Sequence, residues 1–95
     1  MLFVTLLKRK PHMTRRATTE RRLDWKFPEG VHVIGEYWLP AGDYDVITIT
    51  EGDDAASIYR ALADWDEVFD ARVFPVITAE EGIALARREL AAAKA

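Results

Sequence analysis

Six residues with side chains able to bind or activate a small molecule fall on three segments of strand-like composition. They are His32, Glu36, Trp38, Tyr44, Thr48 and Arg72. Aromatic side chains accompanied by a few convergent polar groups are typical of a pocket for a small ligand. Because side chains alternate between the two faces of a strand, the even-numbered residues of each segment are expected to share one face of a sheet.

His32 and Tyr44 are the candidate catalytic residues, since an imidazole held near Glu36 could move a proton at neutral pH. The candidate ligand-binding residues are Glu36, Trp38, Thr48 and Arg72. Four residues along a strand amount to about 13 Å, so His32 and Glu36 would share a face without touching. Two structural alternatives stay open: His32 as a surface histidine, and Glu36 with Arg72 as an ordinary ion pair.

The composition argues against metal chemistry. The chain has no cysteine, and its two histidines, His12 and His32, lack the spacing of metal ligands. Asp53 or Asp54 is expected to cap a helix. The other acidic cluster, expected to be a solvated helix end, comprises Asp64, Asp66, Glu67 and Asp70. We therefore predict neither a metal nor a cofactor.

The order of apolar and turn-forming segments predicts a single domain over residues 1–95. The expected segments are a first strand at 1–8, a basic helix region at 9–28, a hairpin at 29–52, a helix at 53–67, a fourth strand at 68–77 and a C-terminal helix at 78–95. Pro75 places the fourth strand at a sheet edge, because proline cannot donate to the ladder. The spacing of Ile83, Ala86 and Leu90 gives the last helix one apolar face.

This order predicts an α+β, ferredoxin-like fold, in which a four-stranded antiparallel sheet carries helices on one face and its first and third strands are central. Alternation divides the residues of the central strands between two faces. The set expected under the helices is Val4, Leu6, Ile47 and Ile49, and the opposite set is Phe3, Thr5, Leu7, Tyr44, Val46, Thr48 and Thr50. The six candidate residues are expected on this second face, unless a one-residue bulge near Gly35 moves Glu36 and Trp38 to the other side.

The second face is too apolar to lie in water. A second copy covering it would form a dimeric α/β barrel, in which two sheets enclose a cavity lined by the candidate residues. We therefore expect a homodimer or a higher homo-oligomer, with a small molecule as ligand. No apolar run approaches the about 20 residues of a membrane-spanning helix, so no membrane partner is expected.

The two ends of the chain differ in charge. Residues 1–27 hold eight basic and two acidic residues, whereas the remainder holds five basic and fourteen acidic residues. Such a basic segment can bind nucleic acid, or it can face an acidic surface of its own fold. The second interpretation is favoured, because the acidic body would repel a polyanion. Nucleic acid is therefore not an expected partner.

The stretch from Gly35 to Asp54 resembles a known family. Its Gly42-Asp43-Tyr44-Asp45 step, followed by the β-branched run to Thr50, resembles the hairpin of the GYD-domain family, a Gly-Tyr-Asp domain of unknown function. The first strand, the second strand and the fourth strand with its capping box at Thr78-Ala79-Glu80-Glu81 resemble the family's other elements. The resemblance implies membership of the dimeric α/β-barrel superfamily. The short basic first helix and Pro40-Ala41 depart from the family's pattern.

Two functions are consistent with these observations. The first is a small cytoplasmic dimeric domain that binds a small, partly aromatic or acidic molecule in the cavity between the sheets; the absence of cysteine agrees with that location. The alternative is an enzyme resembling the cofactor-independent monooxygenases or isomerases of the superfamily. In that case His32 and Tyr44 would handle protons.

Overall fold

The computed structural model describes residues 1–94 and has the predicted order of elements. Its elements are β1 (Leu2–Arg9), α1 (Arg15–Asp24), β2 (Val31–Trp38), β3 (Val46–Gly52), α2 (Ala55–Ala63), β4 (Phe69–Val76) and α3 (Ala79–Lys94). The four strands form one antiparallel sheet in the order β2-β3-β1-β4. The ferredoxin-like α+β fold and the central position of β1 and β3 are confirmed.

The helices begin where short polar side chains satisfy free backbone N–H groups. The Thr14 hydroxyl accepts a hydrogen bond from the backbone N of Ala17 at 3.1 Å, and α1 begins there. Asp54 accepts from the backbone N of Ser57 at 3.0 Å and caps α2, as one of the two predicted alternatives. Thr78 does the same before α3. Each cap satisfies a donor that the helix itself leaves unpaired.

The sheet is covered on the face opposite to the predicted one. On β1 and β3 the buried side chains are Phe3, Thr5, Leu7, Thr48 and Thr50. They lie under α1 and α2, whereas Val4, Leu6, Ile47 and Ile49 lie half-buried on the face that no helix covers. The alternation itself was predicted correctly, with Thr5 directly opposite Thr48. The prediction was wrong because period two defines two sets of residues without defining which set the helices cover.

Aromatic side chains from outside the regular elements build the core on the covered face. Its buried cluster comprises Leu7, Trp65, Val68 and Phe69, with Met13, Trp25, Val46 and Leu62 packed around it. The ring of Trp65 lies 5.5 Å from that of Trp25 in an edge-to-face arrangement, and 5.5 Å from that of Phe69. Such pairs contribute beyond the area that they bury. These aromatic rings close one end of the space between sheet and helices.

β4 and α3 extend the fold outward. β4 is an edge strand beside β1, as Pro75 predicts. α3 has no buried residue, and its apolar side chains Ile83 and Leu90 are exposed. The described chain is correspondingly elongated, with extents of 58 × 30 × 17 Å. No helix within residues 1–94 is long and apolar enough to cross a membrane.

We predict that Trp65→Ala lowers the free energy of unfolding by about 3–5 kcal/mol, because it removes the ring that joins Trp25 to Phe69 and leaves a cavity. Tyr59→Ala is the matched control, since the Tyr59 side chain on α2 is 76% exposed. The control should change the free energy of unfolding by no more than about 0.5 kcal/mol. Urea unfolding followed by far-UV circular dichroism measures the free energy of unfolding of both variants. An equal decrease in the two variants would contradict the central position of Trp65 in the core.

Candidate functional site

A cavity of about 240 Å³ lies between the covered face of the sheet and the helices. Its floor consists of Thr5, Leu7, Val46, Thr48 and Thr50 from the two central strands. Its far wall is apolar and consists of Ile58, Ala61, Leu62, Trp65 and Phe69. Trp25, Phe27 and Trp38 add aromatic rings at the sides. A mainly apolar pocket with a few polar groups is the usual environment of a small ligand.

A bulge in β2 determines which of its side chains reach the cavity. Val33 pairs with Thr50 and Gly35 with the adjacent Ile49, so Ile34 is the extra residue. After the bulge, Glu36 lies opposite Thr48 and Trp38 opposite Val46 on the cavity side. The bulge reverses the alternation, as the sequence analysis anticipated for an irregularity near Gly35.

Glycine is required beside the bulge because an aromatic ring occupies the place of a side chain. A Cβ at Gly35 would come within 2.8 Å of the Tyr37 ring. Such a distance is far below van der Waals contact, so any larger residue at position 35 would displace Tyr37 or the strand. The Tyr37 ring therefore lies over the backbone of Gly35 on the uncovered face of the sheet.

Glu36 is held as a carboxylate in one wall of the cavity. The Arg22 guanidinium contacts both of its oxygens, with an Nη2–Oε1 distance of 2.9 Å, and the Trp38 indole donates to Oε2 at 2.7 Å. Partial burial by itself would raise the pKa of Glu36. The hydrogen bonds from Arg22 and Trp38, together with the Arg22 charge, outweigh burial and lower that pKa. Glu36 is thus a structural anion with little basicity for proton transfer.

The floor of the cavity is a row of threonines. Thr5 and Thr48 are directly opposite each other on β1 and β3, and Thr50 is two residues farther along the same face. All three are buried, Thr50 to 3% exposure. The Thr50 Oγ1 is buried and has no hydrogen-bond partner among the described residues. A buried hydroxyl without a partner is costly, so a rotation of the Thr50 side chain that turned Oγ1 toward a polar group in the cavity would be favourable.

Polar contacts hold the α1 layer over the cavity. Arg21 donates to the backbone carbonyl of Asp64, and the Trp25 indole donates to the Asp64 carboxylate at 2.9 Å. The guanidinium of Arg22 lies over the ring of Phe27 at 5.5 Å. Four ion pairs in residues 1–94 join the basic segment to the acidic body: Arg9–Asp45, Lys10–Asp70, Arg21–Glu67 and Arg22–Glu36. The basic segment therefore faces its own fold, which the sequence analysis favoured.

The structure brings together three of the six predicted site residues. Glu36, Trp38 and Thr48 line the cavity. His32 lies opposite Glu51 and Arg72 opposite Leu6, so both are on the uncovered face. Tyr44 precedes β3, is half-buried and is not among the lining residues. The prediction of one shared space was wrong because the bulge separates His32 from Glu36, and because the pairing of β4 with β1 places Arg72 beside Leu6 and not beside Thr5.

Several residues of the site were missed by sequence reasoning. Glu36 pairs with Arg22 on α1, and not with Arg72, the partner of the alternative left open above. Four cavity residues on α1 follow helical spacing, and this pattern was visible in the sequence: Arg15, Thr18, Thr19 and Arg22. Within residues 1–94, no group of three or more His, Cys, Asp or Glu side chains is arranged to hold a metal ion.

Comparison with known proteins gives one match. A family model described as "Domain of unknown function (DUF3303)" matches residues 1–90 of the chain. No curated protein and no solved structure matches this chain.

We predict that Glu36→Gln lowers the free energy of unfolding by about 1–3 kcal/mol at pH 7, because Arg22 loses a charge-assisted partner. The folded-state pKa of Glu36 is below its ordinary value of 4.5. Its contribution to stability is therefore full above that value and is lost as the pH falls through the lowered pKa. Urea unfolding of both proteins between pH 7 and pH 2.5 tests this.

The difference between wild type and Glu36→Gln should stay constant above about pH 5 and shrink at lower pH. The Asp54 cap, whose pKa is lowered by hydrogen bonds from Ser57, is present in both proteins and cancels in the comparison. If the difference in free energy of unfolding between wild type and Glu36→Gln grew as the pH was lowered, the Arg22 contact would not favour the ionised carboxylate.

Proposed function

Because the chain belongs to the DUF3303 family, whose description assigns no activity, we propose from the geometry that the protein binds a small, largely apolar or aromatic molecule between its sheet and its helices. The observation that carries this proposal is the unpartnered Thr50 hydroxyl on the floor of an aromatic-walled cavity. The apolar wall would bury the body of the ligand, and the threonine row would bind a polar group. This location replaces the expected cavity between two sheets.

The polar and apolar parts of the cavity are well separated. The threonine hydroxyls lie on the sheet, whereas Leu62, Trp65 and Phe69 lie on the opposite wall. A hydroxyl can both donate and accept a hydrogen bond, so the row suits a neutral polar group such as a hydroxyl or carbonyl. The ligand of this proposal is therefore flat and amphipathic, with its polar edge toward β3.

The enzymatic alternative has less geometric support. His32 lies on the other face of the sheet and Tyr44 does not line the cavity. The carboxylate that does line it, Glu36, has a lowered pKa and is occupied by Arg22 and Trp38. Binding is therefore the function that we propose, with a cytoplasmic location compatible with a cysteine-free chain.

We further propose that the chain is related to the GYD-domain proteins and forms a homodimer. The Gly42-Asp43-Tyr44-Asp45 turn supports the relationship: Gly42 has φ of 114°, and Asp45 accepts from the backbone N of Arg9 at 2.6 Å, which ties the turn to the end of β1. Glycine is the residue that adopts such a φ without strain.

The uncovered sheet face supports the homodimer. It carries a continuous apolar group across all four strands, formed by Ile49, Val4 and Phe74 in one row and by Tyr37, Ile47 and Leu6 in the next. A second copy placed face to face would cover this surface. It would also offer a partner to the exposed apolar residues of α3. The proposed homodimer is thus the assembly expected from sequence. Its two sheets, however, meet through the face of Val4, Leu6, Ile47 and Ile49, and not through the face of the threonines.

We predict that Thr50→Val weakens binding of 2-naphthol about five- to tenfold while leaving naphthalene binding unchanged, because only the hydroxylated probe needs the Thr50 Oγ1. Calorimetric titration measures both affinities. The variant should be at least as stable as wild type, since a methyl group replaces an unsatisfied hydroxyl of the same shape. Tyr59→Phe removes an exposed hydroxyl and is the control. Failure of both probes to bind wild type would overturn the proposal.

We predict that the protein sediments as a dimer at ten micromolar and buries more than about 1,200 Å². Phe74→Asp should sediment as a monomer with an unchanged circular dichroism spectrum, because Phe74 is on the edge strand and 46% exposed. Leu23→Asp, on the outer side of α1, should remain dimeric. A monomeric wild type in analytical ultracentrifugation would contradict the assembly.

A further inference from the structure

The face of α1 that looks into the cavity is polar. It consists of Arg15, Thr18, Thr19 and Arg22. The only large apolar residue of the helix, Leu23, is 76% exposed on the other side. A helix that packs on a domain normally turns its apolar side inward. On this inward face the fold uses Arg22, which pairs with Glu36, and Thr18, which donates to Thr14. Arg15 and Thr19 have no such role in holding the helix to the sheet, and they point to a polar group within the cavity.

The charges around the cavity do not cancel. Its ionised residues are Arg9, Arg15, Arg22, Glu36 and Asp45. Arg22 pairs with Glu36 at 2.9 Å and Arg9 pairs with Asp45 at 3.5 Å. Within residues 1–94 the structure gives Arg15 no carboxylate partner, and its Nη2 donates only to the carbonyl oxygen of Pro40 at 3.2 Å. One positive charge thus remains at the cavity mouth.

The groups beside Arg15 suit an anion. A guanidinium carries five N–H donors in a planar fork that matches a carboxylate, and Arg15 uses one of its nitrogens for Pro40. Thr19, one turn farther along α1, is half-buried and lines the same space. The Thr18 hydroxyl is already used, since it donates to the carbonyl oxygen of Thr14 at 2.8 Å. Arg15 with Thr19 therefore offers donors at one end of an apolar chamber.

From these observations we infer that the ligand is a monoanion: an aromatic or similarly flat carboxylate whose charged end is bound by Arg15 at the α1 end of the cavity and whose neutral polar edge faces the threonine row. This inference rests on the proposed binding function. Arg15 is a specificity-determining residue in this arrangement: it selects the charged head, while Trp25, Trp65 and Phe69 accommodate the apolar body. Because Arg15 is exposed, solvent weakens its attraction, and the expected selectivity is modest.

The test compares 2-naphthoate with 2-naphthamide, two probes of nearly equal shape that differ in charge. Wild type should bind 2-naphthoate about three- to tenfold more tightly in calorimetric titration at low salt, and this preference should decline as salt is added. Arg15→Gln should abolish the preference while keeping the affinity for 2-naphthamide. Arg15→Lys should retain part of it.

Arg16→Gln is the matched control, because Arg16 adjoins Arg15 but does not line the cavity. It should keep the preference of wild type, and circular dichroism should show α1 intact in all variants. Equal binding of the two probes to wild type, or a preference that survives Arg15→Gln, would overturn the inference and leave the proposed function standing. Failure of 2-naphthol, 2-naphthamide and 2-naphthoate all to bind would overturn both.

Discussion

The ion pair between Arg22 and Glu36 determines how the helical layer sits on the sheet. α1 has no buried residue, so the hydrophobic effect does little to place it. Its position depends on this pair and on the neighbouring contacts of Arg21 and Trp25 with Asp64. The same pair closes one wall of the cavity and keeps Glu36 ionised. The placement of α1, one wall of the cavity and the local charge therefore share one guanidinium–carboxylate contact.

The architecture was largely readable from sequence because its signals are local. Strand alternation, the caps at Asp54 and Thr78, and the edge position implied by Pro75 each involve a few neighbouring residues. The covered face was not readable in the same way. Both sets of side chains on β1 and β3 contain large apolar residues, so composition does not decide which set the helices cover. The space between the sheet and the helices is filled by aromatic rings such as Trp25 and Trp65. These residues lie in loops, so the alternation of side chains along the strands does not predict where their rings are placed.

The sequence predicted the candidate site correctly only for residues that were assigned to the same face of the sheet and lie on the same face in the structure. Thr48 and Trp38 were assigned to a common space, and the structure places both in the cavity. The pairing of Glu36 with Arg22 joins residues fourteen apart across a loop, and no local pattern encodes it. The separation of His32 from Glu36 depends on one extra residue in β2, for which Gly35 was the only signal.

The bulge in β2 also decides which side chains of this strand face the cavity. If Ile34 took part in the regular pairing, alternation would continue uninterrupted after Val33, and Glu36 and Trp38 would pass to the opposite face. A carboxylate and an indole would leave the cavity together, and a glycine and a phenol would replace them. A slip of one residue in the pairing of this strand therefore changes the binding chemistry more than a single substitution does. Deleting Ile34 would instead leave Val33 opposite Thr50 and Glu36 opposite Thr48, so the strand could lose its extra residue and keep the same side chains in the cavity.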